Sequence, residues 1–324
     1  MMCGFTIIIN KKKSRININK KTLFHRGPDH TKILFRNGIN FRHWRLSIVD
    51  LSKNSNQPIE TKKHIFLYNG EIYDYQNLSK KILKKQSSSD TLLLGDLLKK
   101  NGNLKKIENL SGFYSYAFYD KQKNKIVFSR DIIGKKFIYY YKDKDLFVIS
   151  SEEKGILPFI KKKINNNSLV EYFYFKNLFH GKTYYKNINL IPPGSINEFN
   201  INKWQLKSNL SWEKYYKKKF FNFNSKHNFN FKKIFSQSIE LRNKCDVNTQ
   251  LALSSGLDSN LILKFILSNR RIKNFDRSIG VGFGNKYNEN KLTKKIIKNF
   301  KIRFCEKNYN LKNIWKDMKK CIYF

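Results

Sequence analysis

The chain has 324 residues, of which 40% are hydrophobic and 15% aromatic, and its formal net charge is +41. This length favours two domains over one. The apolar content excludes an intrinsically disordered chain, because disordered segments lack the residues needed to bury a core.

The positive charge has two interpretations. A nucleic acid or an anionic membrane surface would be the functional one. A composition bias is the other, because Lys, Asn, Ile, Phe and Tyr are all abundant and all have AT-rich codons. The lysines form short runs along the whole chain, such as 11–13 and 217–219, and are not gathered into one stripe. We therefore expect no specific nucleic-acid partner and no membrane partner, and at most weak binding of polyanions at low salt.

The cysteines and the chain start indicate the compartment. Cys3, Cys245, Cys305 and Cys321 show neither metal-site spacing nor a disulfide framework. No segment approaches the roughly 20 apolar residues of a membrane span, and residues 1–9 do not resemble a signal peptide. We expect a cytoplasmic, reducing location, which suits a working thiol.

The first part of the chain is predicted to be mainly β-structure, because segments rich in aromatic and β-branched residues alternate with turn residues. The predicted strands are Cys3–Ile9, Arg45–Leu51, His64–Tyr68, Tyr114–Tyr119, Lys125–Ser129, Phe137–Tyr141 and Leu146–Ile149. Two helices are predicted, at Tyr73–Lys85 and Thr91–Lys100, and Asn101-Gly102 ends the second. Many antiparallel strands with few helices indicate sheets covered by helices.

The pattern changes near residue 200. Residues 204–230 are basic, aromatic and Asn-rich without clean periodicity, and are interpreted as a linker. Helices and short apolar strands then alternate, which is the rhythm of a parallel doubly wound sheet. The predicted elements are helix Phe231–Lys244, strand Thr249–Leu253, helix Ser259–Ser268, strand Ser278–Phe283 and helix Glu289–Phe300. The chain ends at Phe324, before such a sheet would be complete.

Cys3-Gly4 is the first candidate catalytic motif. An N-terminal nucleophile uses its own α-amino group, with a pKa near 8, as the base. This chemistry requires Cys3 to be the first residue of the mature chain. Because aminopeptidases need a small residue after the initiator Met, we expect translation to start at Met2. The alternative is a buried structural cysteine.

Three further motifs lie in the predicted β-rich part. Arg26-Gly27-Pro28-Asp29 predicts a turn and, by itself, no chemistry. Arg45, at a predicted strand start, could pair with a substrate carboxylate through two parallel hydrogen bonds, or form a surface ion pair. Asn69-Gly70 could form an oxyanion hole or an ordinary hairpin turn. Asp90 could hold a substrate ammonium or cap the helix that follows.

Ser254-Ser255-Gly256-Leu257-Asp258-Ser259 lies between a predicted strand and a predicted helix. Its amides and hydroxyls could hold a phosphate at the helix N-terminus, and Asp258 could bind the accompanying Mg²⁺. It is not a Walker A motif, because no Gly-Lys-Ser/Thr follows. A serine-rich turn is the alternative.

The order of these motifs resembles that of the glutamine-hydrolysing asparagine synthetases. Between the motifs above stand Arg-Leu-Ser-Ile-Val-Asp, Tyr-Asn-Gly-Glu-Ile-Tyr, Ser-Asp, Ser-Arg-Asp-x-x-Gly, Ser-Glu-x-Lys and Pro-Pro-Gly-Ser, with family-like spacing from Cys3 to about Glu289. The resemblance implies an αββα sandwich of the N-terminal-nucleophile hydrolase fold at 3–203, a linker at 204–230, and an incomplete α/β ATP-pyrophosphatase-like domain at 231–324.

The resemblance also implies roles for individual residues. Cys3 would attack the glutamine carboxamide, and Asn69 and Gly70 would stabilise the oxyanion. Glutamine would be held by Arg45, Leu46, Ser47, Ile48, Val49, Asn69, Gly70, Glu71 and Asp90. ATP would be bound by Leu253, Ser254, Ser255, Gly256, Asp258, Ser259 and Val281, with Asp258 reaching Mg²⁺ through the pyrophosphate.

The activity implied is release of ammonia from glutamine and its use in the ATP-dependent amidation of aspartate to asparagine. Four departures from the family stand against a complete enzyme. Two methionines precede Cys3, Ser255 replaces a glycine, Leu92 replaces a frequent Glu, and a downstream acidic stretch and a later lysine are missing. We therefore expect a fragment or a split enzyme completed by a second polypeptide, and a homodimer stays open. The alternative is a stand-alone glutaminase or another class II amidotransferase with a different acceptor.

Overall fold

The computed structural model describes residues 3–101, 110–210, 230–284, 288–298, 300 and 302–323. The chain divides into two compact units, residues 1–224 and residues 225–324. Within the described residues, no helix is both long and apolar enough to cross a membrane.

The first unit contains two six-stranded sheets in which every pair of neighbouring strands is antiparallel. The first sheet has the order β10-β8-β9-β1-β3-β2 and the second has the order β12-β11-β7-β6-β5-β4. The strands are β1 (Gly4–Asn10), β2 (His30–Arg36), β3 (Ile39–Arg45), β4 (Ile59–Glu60), β5 (His64–Ile72), β6 (Gly112–Asp120), β7 (Lys125–Arg130), β8 (Tyr139–Lys142), β9 (Leu146–Ser150), β10 (Ile188–Leu190), β11 (Ser195–Asn200) and β12 (Gln205–Leu210).

The two sheets pack face to face. Alternate residues of their strands point inward and form one apolar core, in which Phe5, Leu67 and Phe128 are fully buried. The other face of the second sheet packs on a second core that includes Leu93 and Leu97. These leucines belong to α2 (Asp90–Asn101), which follows α1 (Tyr75–Leu83). This arrangement places the start of β1, the end of β3 and the end of β5 at one end of the sandwich.

The expected αββα layering is only partly present. The outer face of the first sheet packs on a third core, whose members include Ile18, Leu23 and Ile156. Ile18 and Leu23 lie in the irregular chain between β1 and β2, and Ile156 lies between two short 3₁₀ turns. The remaining helix of this unit that the structure describes, α3 (Asn166–Phe175), carries mostly exposed side chains. Among the described residues, the layer on this face is therefore irregular chain where the αββα prediction expects a helical layer.

The predicted strand Arg45–Leu51 is wrong, because β3 ends at Arg45 and a bend follows.

The register between β2 and β3 is set by a turn at the Asn37-Gly38 pair. Both residues have positive φ, 53° and 78°, as a two-residue hairpin turn requires. The turn joins β2 to β3 in register from His30 opposite Arg45 to Arg36 opposite Ile39.

The predicted linker at 204–230 is wrong at its start. Residues Gln205–Leu210 form β12, which pairs with β11 along its whole length. Trp204 takes a positive φ of 52° in the connecting turn and packs edge-on against Phe199. The rest of the predicted linker, residues 211–229, lies outside the described residues, and Asn230 already caps the next helix.

The second unit contains three parallel strands in the order β13-β14-β15. Its elements are α4 (Phe231–Arg242), β13 (Thr249–Ala252), α5 (Leu257–Ser268), β14 (Phe275–Phe283), α6 (Asn290–Ile297), β15 (Arg303–Tyr309) and α7 (Ile314–Tyr323). Leu253, Leu263 and Ile297 form its buried core. The alternation of helices and parallel strands follows the sequence prediction, with β15 and α7 as additions.

Candidate active site

Cys3 stands directly before β1, at the end of the sandwich where β3 ends. Its Sγ accepts a hydrogen bond from the Leu46 amide at 3.3 Å and donates one to the Leu46 carbonyl at 3.5 Å. Burial raises the pKa of the Cys3 thiol above its ordinary value, although the Leu46 hydrogen bond opposes the shift. The thiol is therefore protonated at neutral pH, and a nucleophilic role needs a base to remove its proton.

The Arg26 side chain fixes the backbone of Cys3. Arg26 Nε donates to the Cys3 carbonyl at 2.9 Å, and Nη1 donates to Glu152 Oε1 at 2.8 Å. The same carboxylate oxygen lies 2.9 Å from His25 Nε2. Burial opposes the ionisation of Glu152, yet its contacts with Arg26, His25 and Lys154 together outweigh burial, and the pKa of Glu152 is lowered. The Arg26 guanidinium thus links the Cys3 backbone to the Glu152 carboxylate.

The Arg26–Asp29 turn has a role that its sequence alone did not indicate. Gly27 touches the backbone of β3 so closely that a Cβ would stand 2.4 Å from the carbonyl carbon of Trp44. Asp29 Oδ2 accepts a hydrogen bond from the Ser47 amide at 2.7 Å. The turn therefore holds both the nucleophile and the segment that follows β3.

Arg45, the last residue of β3, is 4% exposed and organises the bend after it. Nη1 donates to the Ser52 carbonyl at 2.6 Å and to Asn56 Oδ1 at 2.7 Å, and Nη2 donates to the Asp50 carbonyl. These bonds use three of the five N–H groups of the guanidinium. None of these bonds uses the Nε–H, and the Nε–Nη2 edge of a guanidinium is the edge that pairs side-on with a carboxylate. The surface ion-pair alternative is wrong.

Asn69 and Gly70 lie inside β5, so the hairpin-turn alternative is also wrong. Backbone groups point alternately to the two edges of a strand. On the edge away from β6, the Tyr68 amide donates to Gln57 Oε1 and the Ile72 amide donates to Asp90 Oδ2. The Gly70 amide lies between them on this same edge, which faces the pocket.

A side chain at Gly70 is excluded by the neighbouring strand, since a Cβ would stand 2.3 Å from the Phe113 carbonyl oxygen. The Asn69 side chain is 1% exposed. Neither its Nδ2 nor its Oδ1 has a hydrogen-bond partner among the described residues. A buried amide without a partner is costly unless a ligand supplies one. Asn69 Nδ2 and the Gly70 amide are therefore two donors available to a developing oxyanion.

Asp90 is the acidic end of the pocket. Its Oδ2 accepts hydrogen bonds from the Tyr68 hydroxyl at 2.9 Å and the Ile72 amide at 3.0 Å, and Oδ1 accepts one from the Thr91 amide at 2.7 Å. Burial raises the pKa of Asp90 to about 6, against the effect of these hydrogen bonds. The buried carboxylate therefore suits a cationic ligand, such as an α-ammonium, that stabilises its charge.

The structure brings nearly all predicted site residues of the first unit into one pocket. Cys3, Arg45, Leu46, Ile48, Val49, Asn69, Gly70, Glu71 and Asp90 line it. Ser47 does not line it, and contributes its amide to Asp29 instead. Four residues missed by the sequence analysis complete the lining: Gln57, Tyr68, Thr91 and Lys136.

Lys136 could have been found from the Ser-Arg-Asp-x-x-Gly motif. Asp131 of that motif is 1% exposed, and its carboxylate accepts hydrogen bonds from the amides of Ile133, Lys135 and Lys136. This loop carries Lys136 into the pocket, where burial lowers the pKa of its ammonium. The Asp131 carboxylate therefore shapes the loop by binding backbone amides, and it does not line the pocket.

In the second unit, the predicted phosphate loop joins β13 to α5. Among the described residues, no side chain caps the N-terminus of α5 at Gly256, and Leu257 and Asp258 are exposed. Ser255 donates from its amide at 3.2 Å and from its hydroxyl at 2.9 Å to the Glu289 carboxylate. Ser254 and Ser259 hold each other across the loop, with their hydroxyls 3.1 Å apart.

The Ser255 amide and hydroxyl are thus both engaged by the Glu289 carboxylate, so the loop already holds an internal anion. Leu253 directly follows β13, and its amide donates to the Ile279 carbonyl of the neighbouring β14. Val281, two residues further along β14, is half exposed at the same edge. Asp258 is an acidic residue in the first turn of α5, and a metal ion would be needed to bring it close to a phosphate. The described residues hold no group of three or more His, Cys, Asp or Glu side chains placed to bind a metal.

Comparison with known proteins identifies the first unit. The family model described as glutamine amidotransferase domain matches residues 2–216. The chain belongs to this glutamine amidotransferase family. All pocket residues of the first unit lie within the matched segment, and the segment includes β12.

Curated relatives of the chain include glutamine-hydrolysing asparagine synthetases. The chain is 31% identical to a putative glutamine-hydrolysing asparagine synthetase 2 of Methanocaldococcus jannaschii, over 93% of the chain and 64% of the relative. It is 27% identical to asparagine synthetase 3 of Bacillus subtilis, over 81% of the chain and 44% of the relative. The chain thus spans about half to two thirds of the length of these relatives.

A solved structure is also similar. The glutamine phosphoribosylpyrophosphate amidotransferase of Bacillus subtilis, complexed with ADP and GMP, matches with a TM-score of 0.46 and 15% identity. The match covers 93% of the chain and 65% of that structure.

Proposed function

We propose that this chain hydrolyses glutamine to glutamate and ammonia, with Cys3 as the nucleophile. The observation that carries the proposal is that one pocket holds both the partly buried Cys3 thiol and the Asn69 side chain, which has no hydrogen-bond partner among the described residues. The thiol supplies the attacking atom. The Asn69 amide and the Gly70 N–H supply the donors that an oxyanion needs.

The reaction begins when the α-amino group of the mature Cys3 takes the thiol proton. The thiolate attacks the glutamine carboxamide carbon, and the carbonyl oxygen becomes an oxyanion between Asn69 and Gly70. The C–N bond then breaks, the ammonium of Cys3 returns a proton to the leaving nitrogen, and ammonia departs from a glutamyl thioester. Water, deprotonated by the same amine, hydrolyses the thioester to glutamate and regenerates the thiol.

The two ends of the pocket fit the two charges of the amino-acid substrate. The free edge of the Arg45 guanidinium would pair with the α-carboxylate. The Asp90 carboxylate would hold the α-ammonium, with Glu71 beside it in the pocket lining. A substrate held at both charges has its carboxamide placed at a fixed distance from Cys3.

For the complete protein we infer an asparagine synthetase that uses this ammonia to amidate aspartate. The names of the curated relatives support this inference. ATP would be held by the amides and hydroxyls of Ser254–Ser259, with Val281 beside the adenine and Asp258 reaching Mg²⁺. When bound, ATP would activate the aspartate carboxylate for attack by ammonia. A second polypeptide is the partner that would supply further synthetase residues, and the protein would act in the cytoplasm.

A second candidate function is glutamine hydrolysis alone, or amide transfer to an acceptor other than aspartate. The Ser255–Glu289 contact favours this candidate, because the loop already carries an internal anion. Pyrophosphate release on addition of aspartate and MgATP distinguishes the two. Release that depends on aspartate supports the synthetase, and glutamate formation without it supports the alternative.

The glutaminase proposal is tested with Cys3→Ala, assayed by glutamate formation from glutamine. We expect loss of all activity, while Cys245→Ala, a control thiol of the second unit, keeps the wild-type rate. Intact mass should show that active protein begins at Cys3. Appreciable activity in Cys3→Ala, or in protein that keeps a residue before Cys3, would refute the mechanism.

A further inference from the structure

On the edge of β5 that faces away from β6, the backbone of Tyr68 is hydrogen-bonded by two side chains and not by a neighbouring strand. The short β4 pairs with β5 only as far as Phe66, opposite Ile59. Two residues on, the Tyr68 amide donates to Gln57 Oε1 at 2.5 Å. The Tyr68 carbonyl accepts a hydrogen bond from His43 Nε2 at 3.0 Å. Both backbone groups of Tyr68 on this edge are therefore held.

The two side chains come from different parts of the sandwich. Gln57 lies just before β4 and lines the pocket. His43 belongs to β3 of the first sheet, where it stands opposite Phe5 of β1. Gln57 is 2% exposed and His43 is fully buried. The His43 hydrogen bond thus connects β5, which carries Asn69 and Gly70, to the first sheet, whose β1 directly follows Cys3. The Gln57 hydrogen bond ties β5 to the pocket segment that precedes β4.

The protonation of His43 follows from its partner. A carbonyl oxygen can only accept, so Nε2 carries the hydrogen. Nδ1 has no partner among the described residues. Burial lowers the pKa of His43 to about 3. The ring is therefore neutral throughout the pH range in which a cysteine hydrolase works, and it acts as a fixed hydrogen-bond donor rather than as an acid or a base.

We propose that His43 and Gln57 are positioning residues that set the oxyanion hole relative to the nucleophile. The peptide group whose carbonyl His43 holds is the one that joins Tyr68 to Asn69. The next peptide group along the strand joins Asn69 to Gly70 and supplies the Gly70 N–H. Fixing the first peptide group against the first sheet fixes where Asn69 and Gly70 point. This inference rests on the proposed glutaminase function.

The effect of this positioning should appear in kcat rather than in KM. The oxyanion exists only after Cys3 has attacked, so misplaced donors weaken the transition state and not the bound substrate. The substrate charges are held elsewhere, at Arg45 and Asp90. A residue needed only for folding would instead lower the amount of active protein and leave the kcat of the folded fraction unchanged.

The test compares His43→Leu and Gln57→Met with His43→Gln in the full chain. Leu and Met fill similar space without the hydrogen bond, whereas Gln can place an amide N–H close to the former Nε2. We expect kcat for glutamine hydrolysis to fall about 10- to 100-fold in the first two, with KM within about twofold. His43→Gln should recover most of the loss. Phe41→Leu, a buried change on β3 that touches neither Tyr68 nor the pocket, should keep kcat.

Alkylation of Cys3 by iodoacetamide provides a second readout. Alkylation is a direct displacement at carbon and forms no oxyanion, so it reports the nucleophile alone. We expect His43→Leu and Gln57→Met to be alkylated at the wild-type rate while they hydrolyse glutamine slowly. Parallel losses in both rates would show that the variants disturb Cys3 itself, and would overturn the proposal.

The outcomes separate this inference from the proposed function. If the unaltered chain hydrolyses no glutamine, the proposed function fails before any variant is compared. If the unaltered chain is active and Gln57→Met keeps its kcat, the positioning role is refuted while the glutaminase function stands. Gln57→Met decides the question even if His43→Leu does not fold. An increase in KM at constant kcat would also refute the positioning role.

Discussion

The hydroxyl of Tyr68 donates a 2.9 Å hydrogen bond to Oδ2 of Asp90. Tyr68 is fully enclosed at this point, with 2% of its surface exposed. The same residue precedes Asn69 on β5, so its side chain supports the carboxylate while its backbone leads into the oxyanion donors. The Asp90 carboxylate and the oxyanion donors of the pocket are therefore linked through one residue.

Tyr68→Phe is predicted to weaken glutamine binding. It removes one of the three hydrogen bonds that stabilise the Asp90 carboxylate, and a hydrogen bond to a charged group contributes about 1.5–3 kcal/mol. We expect KM for glutamine at pH 7 to rise about tenfold, with kcat within about twofold, in steady-state glutaminase assays. Tyr119→Phe is the matched control, because its hydroxyl binds Asn37 and Asn124 away from the pocket. A fall in kcat with unchanged KM would contradict this role.

The pH dependence of glutamine hydrolysis should report Asp90. Burial raises the pKa of Asp90 to about 6, and only the ionised form attracts an ammonium. As pH falls below about 6, protonation removes that form and kcat/KM should fall about tenfold per pH unit. Above the pKa of Asp90, kcat/KM should no longer depend on this group. Asp90→Asn should lose most activity and the acid limb with it, and an unchanged acid limb would assign it to another group.

The same shift predicts the opposite trend for stability. The folded pKa of Asp90 lies above its unfolded value near 3.9, so the folded state binds the proton more tightly. Ionised Asp90 therefore disfavours folding, and its contribution to the free energy of unfolding rises as pH falls from about 7 to about 4. Urea denaturation of the wild type and of Asp90→Asn at both pH values measures this. The difference between the two proteins should shrink at low pH.

Gly27→Ala is predicted to destabilise the first unit. A Cβ would stand 2.4 Å from the Trp44 carbonyl carbon and 2.5 Å from that of Arg45, and neither backbone can move without shifting β3. We expect a loss of at least about 2 kcal/mol in the free energy of unfolding. Gly95→Ala is the control, because its Cβ would meet only Phe66, at 3.7 Å. Because Gly95 lies in α2 and alanine favours helix more than glycine, Gly95→Ala should leave the free energy of unfolding unchanged or raise it by about 0.5–1 kcal/mol.

Much of the pocket could be predicted from the sequence because its motifs are short and continuous. Asn69 and Gly70 are adjacent and directly follow the predicted strand His64–Tyr68, so the motif was found from the sequence although the strand continues to Ile72. The parallel sheet of the second unit was equally accessible, because helical and strand patterns alternate there with regular spacing.

The remaining site residues could not be predicted because they act across the fold. Arg26 is the first residue of a turn motif, and only the packing of Gly27 on β3 brings the Arg26 side chain to Cys3. His43 lies in β3, in which every residue is buried, and its neighbours Arg42 and Trp44 give no sign of its contact with Tyr68. Gln57 acts on a backbone amide eleven positions away. Contacts between distant segments of this kind leave no periodic signal.

The final prediction concerns the loop of the second unit. Glu289 accepts two hydrogen bonds from Ser255, at 3.2 Å from its amide and at 2.9 Å from its hydroxyl. A bound phosphate would need the same donors and would be repelled by the carboxylate. Glu289→Gln removes the charge and weakens the competing acceptor, so we expect MgATP to bind about threefold to tenfold more tightly at low salt. Isothermal titration of the full chain with MgATP measures this.

Glu306→Gln is the control, because that carboxylate pairs with Lys294 and Asn290 instead of the loop. Equal or weaker binding by Glu289→Gln would show that Glu289 supports the phosphate site, or that ATP does not bind at Ser254–Ser259.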